Sequence, residues 1–286
     1  MLFLASCKKN KDKGTNTIEI SEAKAGSVKR LSIGFVPGNE TITILTLKNQ
    51  STGSAGSVNV KLLMDDAAVT TAGFKILPAN SYTLATLEYV VPASGTVNVP
   101  MIINRSNLTI DTTYGIGFKI AEVSAGTIAT DAKSIVVNVD LRNRWDGRYK
   151  VTGTFTDYAA PTLTFLEHET DLVTTNPTQV TSIPKDLGIP GYLILSGGSL
   201  SYYGSFGPVL NFDSTTNKIT SVINSYGQPA SNTRSAQLDP SGSNQWDPNT
   251  KTMTVKFWMN QPNTITTPPY HRVLFINTLV YLRPRF

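Results

Sequence analysis

The side chains able to do acid–base or metal chemistry are few in this sequence of 286 residues. Its two histidines are His168 and His271, and its single cysteine is Cys7. Glu167-His168-Glu169 could be drawn as a metal site, but alternation along a strand turns His168 away from both glutamates, so three ligands do not converge. We therefore expect His168 to be an exposed strand residue and His271 to lie at the surface.

Motifs for catalysis are also missing. A serine nucleophile needs Gly-x-Ser-x-Gly, and residues 197–201 (GGSLS) lack the second glycine at the required place. The sequence has no glycine-rich phosphate loop, and a single cysteine excludes an internal disulfide and a cysteine-based metal site. Glycoside hydrolysis needs only two carboxylates, so a hydrolase is kept as an alternative. We expect no catalytic residue, no metal and no cofactor.

The C-terminal half is richer in side chains suited to binding sugars. It holds 18 of the 25 aromatic residues and all three tryptophans. Sugar rings stack their C–H faces on aromatic side chains, while amides and charged groups bind their hydroxyls. In residues 255–261 (VKFWMNQ), alternation predicts a core face with three apolar side chains, Val255, Phe257 and Met259. The opposite face carries a tryptophan between two polar residues, which we predict to bind ligand: Lys256, Trp258 and Asn260.

A second aromatic stretch lies at residues 202–207 (YYGSFG), where two glycines indicate a loop. We predict that Tyr202 and Tyr203 line a groove, the alternative being that they close the end of a β-barrel. The alternative for Trp258 is packing against a loop or a neighbouring domain, since tryptophan is more often buried than exposed. Trp145 is expected in a core or between domains.

The N-terminal residues indicate an exported lipoprotein. Leu4-Ala5-Ser6-Cys7 has the spacing of a lipobox, where a peptidase cleaves after small residues and the cysteine thiol is acylated. Residues 1–6 are then the remnant of a signal peptide, with an apolar run shorter than the about 7–15 residues of a full h-region. We predict that a lipid on Cys7, and not a spanning helix, holds the mature protein at a membrane.

The net charge of +5 does not indicate nucleic-acid binding. Residues 8–13 (KKNKDK) carry +3 of this charge, and the rest of the chain is close to neutral with no basic stripe. Such lysines suit a solvated segment near anionic lipid headgroups. Because residues 7–26 are polar and contain Gly14 and Gly26, we predict a flexible tether there. Nucleic acid is excluded as a partner.

Period-two alternation from residue 27 onward predicts an all-β protein of two domains. About seven short strands separated by turn residues predict an immunoglobulin-like β-sandwich over residues 27–142. The predicted strands are 41–47, 57–62, 87–91, 96–103, 114–123 and 134–140, with one short helical turn within 65–80. A second β-rich domain is predicted over residues 143–286, as an antiparallel barrel or sandwich, with a lipocalin-like barrel as one form.

Two segments of the second domain share a pattern. Residues 212–220 (FDSTTNKIT) and 246–254 (WDPNTKTMT) both read aromatic-Asp-x-x-Thr-x-x-aliphatic-Thr. An aspartate side chain can accept hydrogen bonds from the backbone of a tight turn, whereas a calcium loop needs more acidic residues. We predict hairpins that turn at Asp213 and Asp247, and no calcium site.

Several of these features together resemble a known group of proteins. They are the lipobox, the sandwich ending in VVNVDL (136–141), the opening WDGRYKVTGT (145–154) and the terminal NTLVYLRPRF (277–286). They resemble two-domain lipoproteins of Bacteroidetes, which join an immunoglobulin-like N-terminal domain of unknown function to a β-rich C-terminal domain. The resemblance covers essentially the whole mature chain. Such lipoproteins are often associated with polysaccharide-utilisation systems, which implies glycan capture in the cell envelope and no catalytic residues.

The residues and the resemblance lead to one functional prediction. We predict a lipid-anchored outer-membrane protein, displayed on the surface or on the periplasmic face, whose C-terminal domain binds oligo- or polysaccharides without catalysis. One alternative is a structural or adhesive subunit that contacts other outer-membrane proteins. The second is a glycan hydrolase whose carboxylates no motif reveals.

Overall fold

The computed structural model describes residues 14–25, 28–35, 38–110 and 112–285. The predicted signal-peptide remnant and Cys7 lie outside these residues. The chain divides into two compact units, residues 1–141 and 142–286. Each is built mainly from antiparallel β-sheet, with a few short helical turns, so the predicted all-β class is confirmed. Within the described ranges, no helix has the length and apolar character needed to span a bilayer.

The N-terminal unit is a pair of curled sheets around one hydrophobic core. Its described strands are β1 (Asn16–Ile20), β2 (Val28–Gly34), β3 (Asn39–Ser51), β4 (Val58–Met64), β5 (Lys75–Ile76), β6 (Tyr82–Thr83), β7 (Glu88–Val91), β8 (Thr96–Asn104), β9 (Tyr114–Val123), β10 (Thr127–Ile128) and β11 (Ser134–Arg142). One sheet has the order β10-β1-β3-β8-β6, and the other has the order β2-β11-β9-β4-β7 with β5 beside β9. The predicted strands of this unit are confirmed.

The helical turn predicted within residues 65–80 is helix α1 (Asp66–Thr71). Asp65 precedes it and its Oδ1 atom accepts a hydrogen bond from Ala68 N at 3.2 Å. This side chain satisfies one of the backbone donors that the first turn of a helix leaves free. Two short 3₁₀ helices, Ala79–Ser81 and Arg105–Asn107, complete the loops.

The first strand corrects the prediction of a flexible tether over residues 7–26 in the part that the structure describes, residues 14–25. β1 pairs antiparallel with β3, and Ile18 and Ile20 are fully buried in the core. The 3₁₀ helix Ser21–Ala25 follows directly. Alternation in residues 17–20 (TIEI) covers only four positions, too few to stand out from the polar sequence around them. Pairing with the long strand β3 orders this segment, which is information that local sequence lacks.

The C-terminal unit is an antiparallel barrel. Its described strands are β12 (Gly147–Asp157), β13 (Thr164–Phe165), β14 (His168–Asn176), β15 (Gln179–Pro184), β16 (Leu193–Ser196), β17 (Ser199–Tyr202), β18 (Pro208–Phe212), β19 (Ile219–Asn224), β20 (Ser235–Leu238), β21 (Gln245–Asp247), β22 (Thr252–Asn260) and β23 (His271–Arg283). Hydrogen-bonded neighbours follow the order β19-β18-β15-β14-β12-β23-β22-β20, and β21 pairs antiparallel with β22. β13, β16 and β17 form a separate small sheet.

A glutamine side chain joins the two end strands of the barrel. Gln228 Oε1 accepts hydrogen bonds from Asn224 N on β19 and from Ala236 N on β20, both at 3.0 Å. Gln228 Nε2 donates back to Ala236 O. These bonds satisfy edge groups that a backbone ladder would otherwise pair, so the barrel is nearly closed without direct pairing of its ends.

The two hairpins predicted from the shared pattern are confirmed. Asp213 Oδ1 accepts hydrogen bonds from the backbone N–H groups of Thr215 and Thr216, both at 2.8 Å. Asp247 accepts from Asn249 N and from the Thr250 hydroxyl, both at 2.9 Å. Each carboxylate is thus occupied in holding its own turn, as the sequence pattern predicted.

Aromatic side chains fill the interior of the barrel. Trp145 is buried and stacks on Phe212 with ring centroids 4.1 Å apart, so its predicted core position is confirmed. Phe257 and Phe275 stack at 4.7 Å. The interior retains a cavity of about 20 Å³, lined in part by Tyr192. This volume suits about one water molecule and lies far below the roughly 300–1,000 Å³ of ligand pockets, so the interior is a packed core.

The position of His168 corrects the prediction that it is exposed. Its side chain lines the interior cavity, and its Nδ1–H donates to Leu166 O at 2.9 Å. Burial lowers the pKa of His168 below its ordinary value, so the ring is neutral at pH 7. Alternation does place Glu167 and Glu169 on the opposite, outer face, where they pair with lysines. The sequence pattern did not show which of the two faces was the inner one.

Candidate binding site on the C-terminal barrel

Strand β22 presents a tryptophan on the outer face of the barrel. Val255, Phe257 and Met259 are buried, as alternation predicted, and Trp258 is partly exposed on the other side. The register places Trp258 between Gln237 on β20 and Leu274 on β23. The predicted division of this strand into an inner and an outer face is therefore confirmed.

Trp258 is the centre of a group of three rings. Its indole stacks on the His271 imidazole with centroids 4.1 Å apart and planes 9° apart. The ring of Tyr158 lies 6.1 Å from the indole, tilted by 30°. Tyr158 is 59% exposed, whereas His271 is only partly exposed. We call Tyr158, Trp258 and His271 the aromatic platform.

The aromatic platform lies at one end of the barrel, which we call the rim. β12 ends at Asp157, β22 ends at Asn260, β20 begins at Ser235 and β23 begins at His271, and the antiparallel register brings these four positions together. Trp258 is two residues, or about 7 Å, from the rim along its strand. The three rings are thus held by strand ends and by residues directly next to them.

Polar side chains adjoin the aromatic platform. Asn260 Nδ2 donates to Gln237 Oε1 at 3.0 Å, and Gln237 is exposed. Among the described residues, neither Asn260 Oδ1 nor His271 Nε2 has a hydrogen-bond partner, although both atoms are buried. Burial lowers the pKa of His271 below its ordinary value, which keeps the stacked imidazole neutral near pH 7. The edge of the platform therefore offers unused donor and acceptor capacity.

Lys256, the third residue predicted on this face, is occupied by an ion pair. Its Nζ lies 3.2 Å from Asp239 Oδ2 and 2.7 Å from Ser241 Oγ. Burial alone would raise the pKa of Asp239, but hydrogen bonds from Ser241 and Lys256 outweigh burial and lower it to about 2. Lys256 thus stabilises the loop after β20, and its charge is less available to a ligand than sequence reasoning expected.

The structure separates Tyr202 from Tyr203. Tyr202, at the end of β17, is 46% exposed, whereas Tyr203 is 3% exposed and belongs to the barrel core. Successive residues of an extended chain point in opposite directions, so the two side chains cannot share one groove. In the described part of the chain, no ring contact connects Tyr202 with Trp258. The structure therefore brings together Trp258 and Asn260, but it does not add either tyrosine to them.

Tyr203 belongs to a buried polar network below the rim. Its hydroxyl donates to Asp157 Oδ2 at 2.8 Å, and Arg272 Nη2 donates to the same oxygen at 3.0 Å. Asp157 Oδ1 also accepts from the backbone N–H groups of Ala159 and Ala160. Burial would raise the pKa of Asp157, but these hydrogen bonds outweigh it, and the pKa lies below its ordinary value. The carboxylate is therefore ionised and fully occupied.

A second arginine approaches the same network. Arg234 Nε donates to Gln261 Oε1 at 3.3 Å, and Arg272 Nη1 donates to that oxygen at 2.5 Å. The two guanidinium groups lie 5.5 and 5.7 Å from the centre of the Tyr203 ring. We call Arg234 and Arg272 the arginine pair.

Sequence reasoning missed most members of these two groups. Tyr158 and His271 are 113 positions apart in the sequence, and only the pairing of β12, β22 and β23 brings them to Trp258. The arginine pair carries no spacing signal either. Within the described ranges, no group of three residues of the types His, Cys, Asp and Glu is placed to hold a metal ion.

Comparisons with known proteins give a fold relationship. A family model described as a "-like, N-terminal domain" matches residues 10–127. A Bacteroides ovatus protein of unknown function is 14% identical, covers 95% of this chain and 96% of its own, and superimposes with a TM-score of 0.52. An auxiliary nutrient binding protein of Bacteroides thetaiotaomicron is 10% identical over 91% of this chain and 92% of its own, but its TM-score of 0.45 is too low for a functional argument. No curated protein matches the sequence. At such identities, the first likeness shows a shared fold with a Bacteroides protein and leaves the function to the site itself.

Proposed function

We propose that this protein binds glycans without catalysis, through the outer face of its C-terminal barrel, while a lipid on Cys7 holds it in the cell envelope. The observation that carries the proposal is the aromatic platform with the amides of Gln237 and Asn260 beside it. Aromatic faces stack on the C–H faces of sugar rings, and neighbouring amides bind hydroxyl groups.

The shape of the barrel favours an extended ligand on its surface. The interior cavity of about 20 Å³ cannot hold a sugar ring, so an enclosed ligand of the lipocalin type does not fit this packing. The aromatic platform instead opens to solvent at Tyr158. Two rings tilted by 30° can contact successive sugars of a curved chain, which is how oligo- or polysaccharide is proposed to bind.

The unpaired polar atoms at the platform support the same proposal. A buried polar atom without a hydrogen bond costs about 1–3 kcal/mol, and Asn260 Oδ1 and His271 Nε2 are two such atoms within the described structure. A sugar hydroxyl that reached either atom would satisfy it. The free energy lost by leaving these two atoms unpaired in the fold would then be regained when the ligand binds.

Four carboxylates of the C-terminal unit support a non-catalytic role. Glycoside hydrolysis needs a carboxylic acid whose pKa is raised, so that it is protonated near neutral pH. Four carboxyl groups of this unit have a pKa below their ordinary value: Asp157, Asp213, Asp239 and Asp247. These four groups are held ionised by hydrogen bonds to their own turns and to basic side chains.

Anchoring is proposed from the lipobox spacing around Cys7, with the outer membrane as the site of display on either face. Cys7→Ser, expressed behind a complete leader, is expected to move the protein from the membrane fraction to the soluble fraction. Membrane partition unchanged by the substitution would contradict the lipid anchor. The glycan-binding proposal does not depend on this result.

The test of binding is a glycan array probed with the full chain, followed by affinity measurements on the glycans retained. Trp258→Ala and Tyr158→Ala are each expected to weaken binding about threefold to tenfold, since an aromatic contact contributes about 0.5–1.5 kcal/mol. Val280→Ala is the matched control. Val280 is exposed on the outer face of β23, about 20 Å along this strand from the position opposite Trp258.

Tyr202→Ala separates the two aromatic groups that the sequence suggested. The platform predicts that this variant binds like the parent protein. If Tyr202→Ala lost affinity while Trp258→Ala did not, the ligand would lie on the small β13-β16-β17 sheet instead. Equal affinity of the parent, Trp258→Ala and Tyr158→Ala proteins would remove the aromatic platform as the binding surface.

A further inference from the structure

The network at the rim holds more positive than negative charge. Within the described part of the chain, Asp157 is the one carboxylate that bonds to the arginine pair, and it accepts hydrogen bonds from Nε and Nη2 of Arg272 at 3.3 and 3.0 Å. Among the described residues, Arg234 has no acidic partner. Its guanidinium donates to two neutral acceptors, Gly204 O and Gln261 Oε1. Two guanidinium charges therefore share one carboxylate, and the network carries an excess positive charge.

The pKa of Arg234 reflects this arrangement. Burial lowers the pKa of Arg234 below its ordinary value, and the charge of Arg272 lowers it further. Both arginines donate to one oxygen of Gln261, so the two positive groups are within two hydrogen-bond lengths of each other. Like charges in a partly buried place repel, and an added anion would relieve that repulsion.

The arginine pair is next to the aromatic platform in the chain itself. Asp157 and Tyr158 are consecutive, and so are His271 and Arg272. In both cases one residue belongs to the buried network and its neighbour belongs to the platform. Arg234 immediately precedes β20, whose residue Gln237 lies beside Trp258. The two groups therefore meet at the same rim, the arginine pair in the buried network and the platform on the outer face, so a ligand that crosses the rim can contact both.

We propose that Arg234 binds the anionic group of an acidic glycan, a carboxylate or a sulfate, while a neighbouring sugar stacks on the aromatic platform. This inference rests on the proposed glycan binding and specifies its ligand class. The planar guanidinium can donate two parallel hydrogen bonds to either oxyanion, and such charge-assisted bonds are about twice as strong as neutral ones. Arg272 keeps its bonds to Asp157 and contributes the field that attracts the anion.

The experiment compares matched glycans that differ only in charge. The array carries oligogalacturonate beside its methyl ester and sulfated beside desulfated chondroitin oligosaccharides, so that carboxylate and sulfate are tested separately. The full chain is expected to prefer at least one acidic member over its neutral counterpart by about tenfold or more. Arg234→Gln should remove that preference, so affinity for the acidic member should fall about tenfold more than affinity for the neutral member.

Arg283→Gln is the matched control. It removes the same charge from the same unit at the opposite end of β23, where Arg283 is exposed and pairs with Arg148 in register. This variant should keep the preference for the acidic glycan. A preference lost equally in both variants would mean that overall charge, and not Arg234, selects the ligand, and would overturn the assignment.

Salt dependence of the parent protein gives a measurement that needs no variant. Between 50 and 500 mM NaCl, affinity for the acidic glycan should fall while affinity for its neutral counterpart stays constant. Equal binding of acidic and neutral members, with no salt effect, would overturn the anionic site and leave glycan binding intact. Binding of no glycan of either kind would overturn both the anionic site and the proposed function. If Arg234→Gln fails to fold, the salt comparison decides.

Discussion

Asp157→Asn tests the buried network that supports the rim. The substitution keeps the size of the side chain and removes its charge. Arg272 then loses the carboxylate that accepts hydrogen bonds from two of its nitrogens, and the Tyr203 hydroxyl loses an ionised acceptor. The Asp157 side chain is fully buried and that of Arg272 is 14% exposed. Removing one partner of such a pair leaves an uncompensated charge, and we expect a loss of about 3–5 kcal/mol in the free energy of unfolding.

Tryptophan fluorescence measures this loss in the C-terminal unit alone. The three tryptophans of the chain, Trp145, Trp246 and Trp258, all belong to that unit. For a unit of this size the urea dependence is about 2 kcal/mol per molar. The urea midpoint of Asp157→Asn should therefore fall by about 2 M, or the unit should be unfolded without denaturant.

Two further variants are compared with Asp157→Asn. Asp213→Asn changes an exposed turn carboxylate whose hydrogen bonds an asparagine can also accept, and its urea midpoint should match that of the parent. Tyr203→Phe removes one hydrogen bond to an ionised acceptor and should cost about 1.5–3 kcal/mol. If Asp157→Asn cost less than about 1 kcal/mol, the carboxylate would not be the buried centre of this network and would not hold the rim.

Three further predictions concern stability. Because burial lowers the pKa of His168, the unfolded chain takes up a proton that the folded chain does not as the pH falls below about 6.5, so the urea midpoint should fall from pH 7 to pH 5. His168→Gln should show a smaller fall, and an equal fall would contradict the buried neutral ring. Trp258→Ala should cost about 1–2 kcal/mol, since this side chain is partly exposed, whereas Trp145→Ala in the core should cost about 3–5 kcal/mol by the same fluorescence assay. Equal costs would place both tryptophans in the core. Ile18→Ala should destabilise the N-terminal unit by about 2–5 kcal/mol, measured as faster amide hydrogen exchange in β3. Unchanged exchange in β3 would mean that β1 is not packed in the core and belongs to the predicted tether.

Local patterns were sufficient for the parts of this protein that depend on neighbouring residues. Alternation predicted that Phe257 faces the core and Trp258 the outer surface, because successive side chains of a strand point to opposite faces. The turns at Asp213 and Asp247 were predictable because each carboxylate bonds to backbone only two or three residues away. The all-β class followed from the same alternation repeated along both units.

Alternation alone did not show which face was inside or which short segments were ordered. His168 was predicted to be exposed, yet it lies in the barrel interior, because its strand has apolar and polar residues on both faces. Ile18 and Ile20 were assigned to a tether, yet they are buried once β1 pairs with β3. In both cases the deciding contact is with a strand distant in sequence.

The candidate site was decided by tertiary structure to a greater degree than the fold class. The sequence by itself determined that Trp258 and Asn260 share an outer face, that Asp213 and Asp247 turn their hairpins, and that the chain forms β-sheet. Only the folded barrel places Tyr158 and His271 against Trp258, and the arginine pair around Tyr203. The physical reason is that strand direction is local, whereas strand register and barrel closure come from the packing of the whole core, which joins residues more than a hundred positions apart.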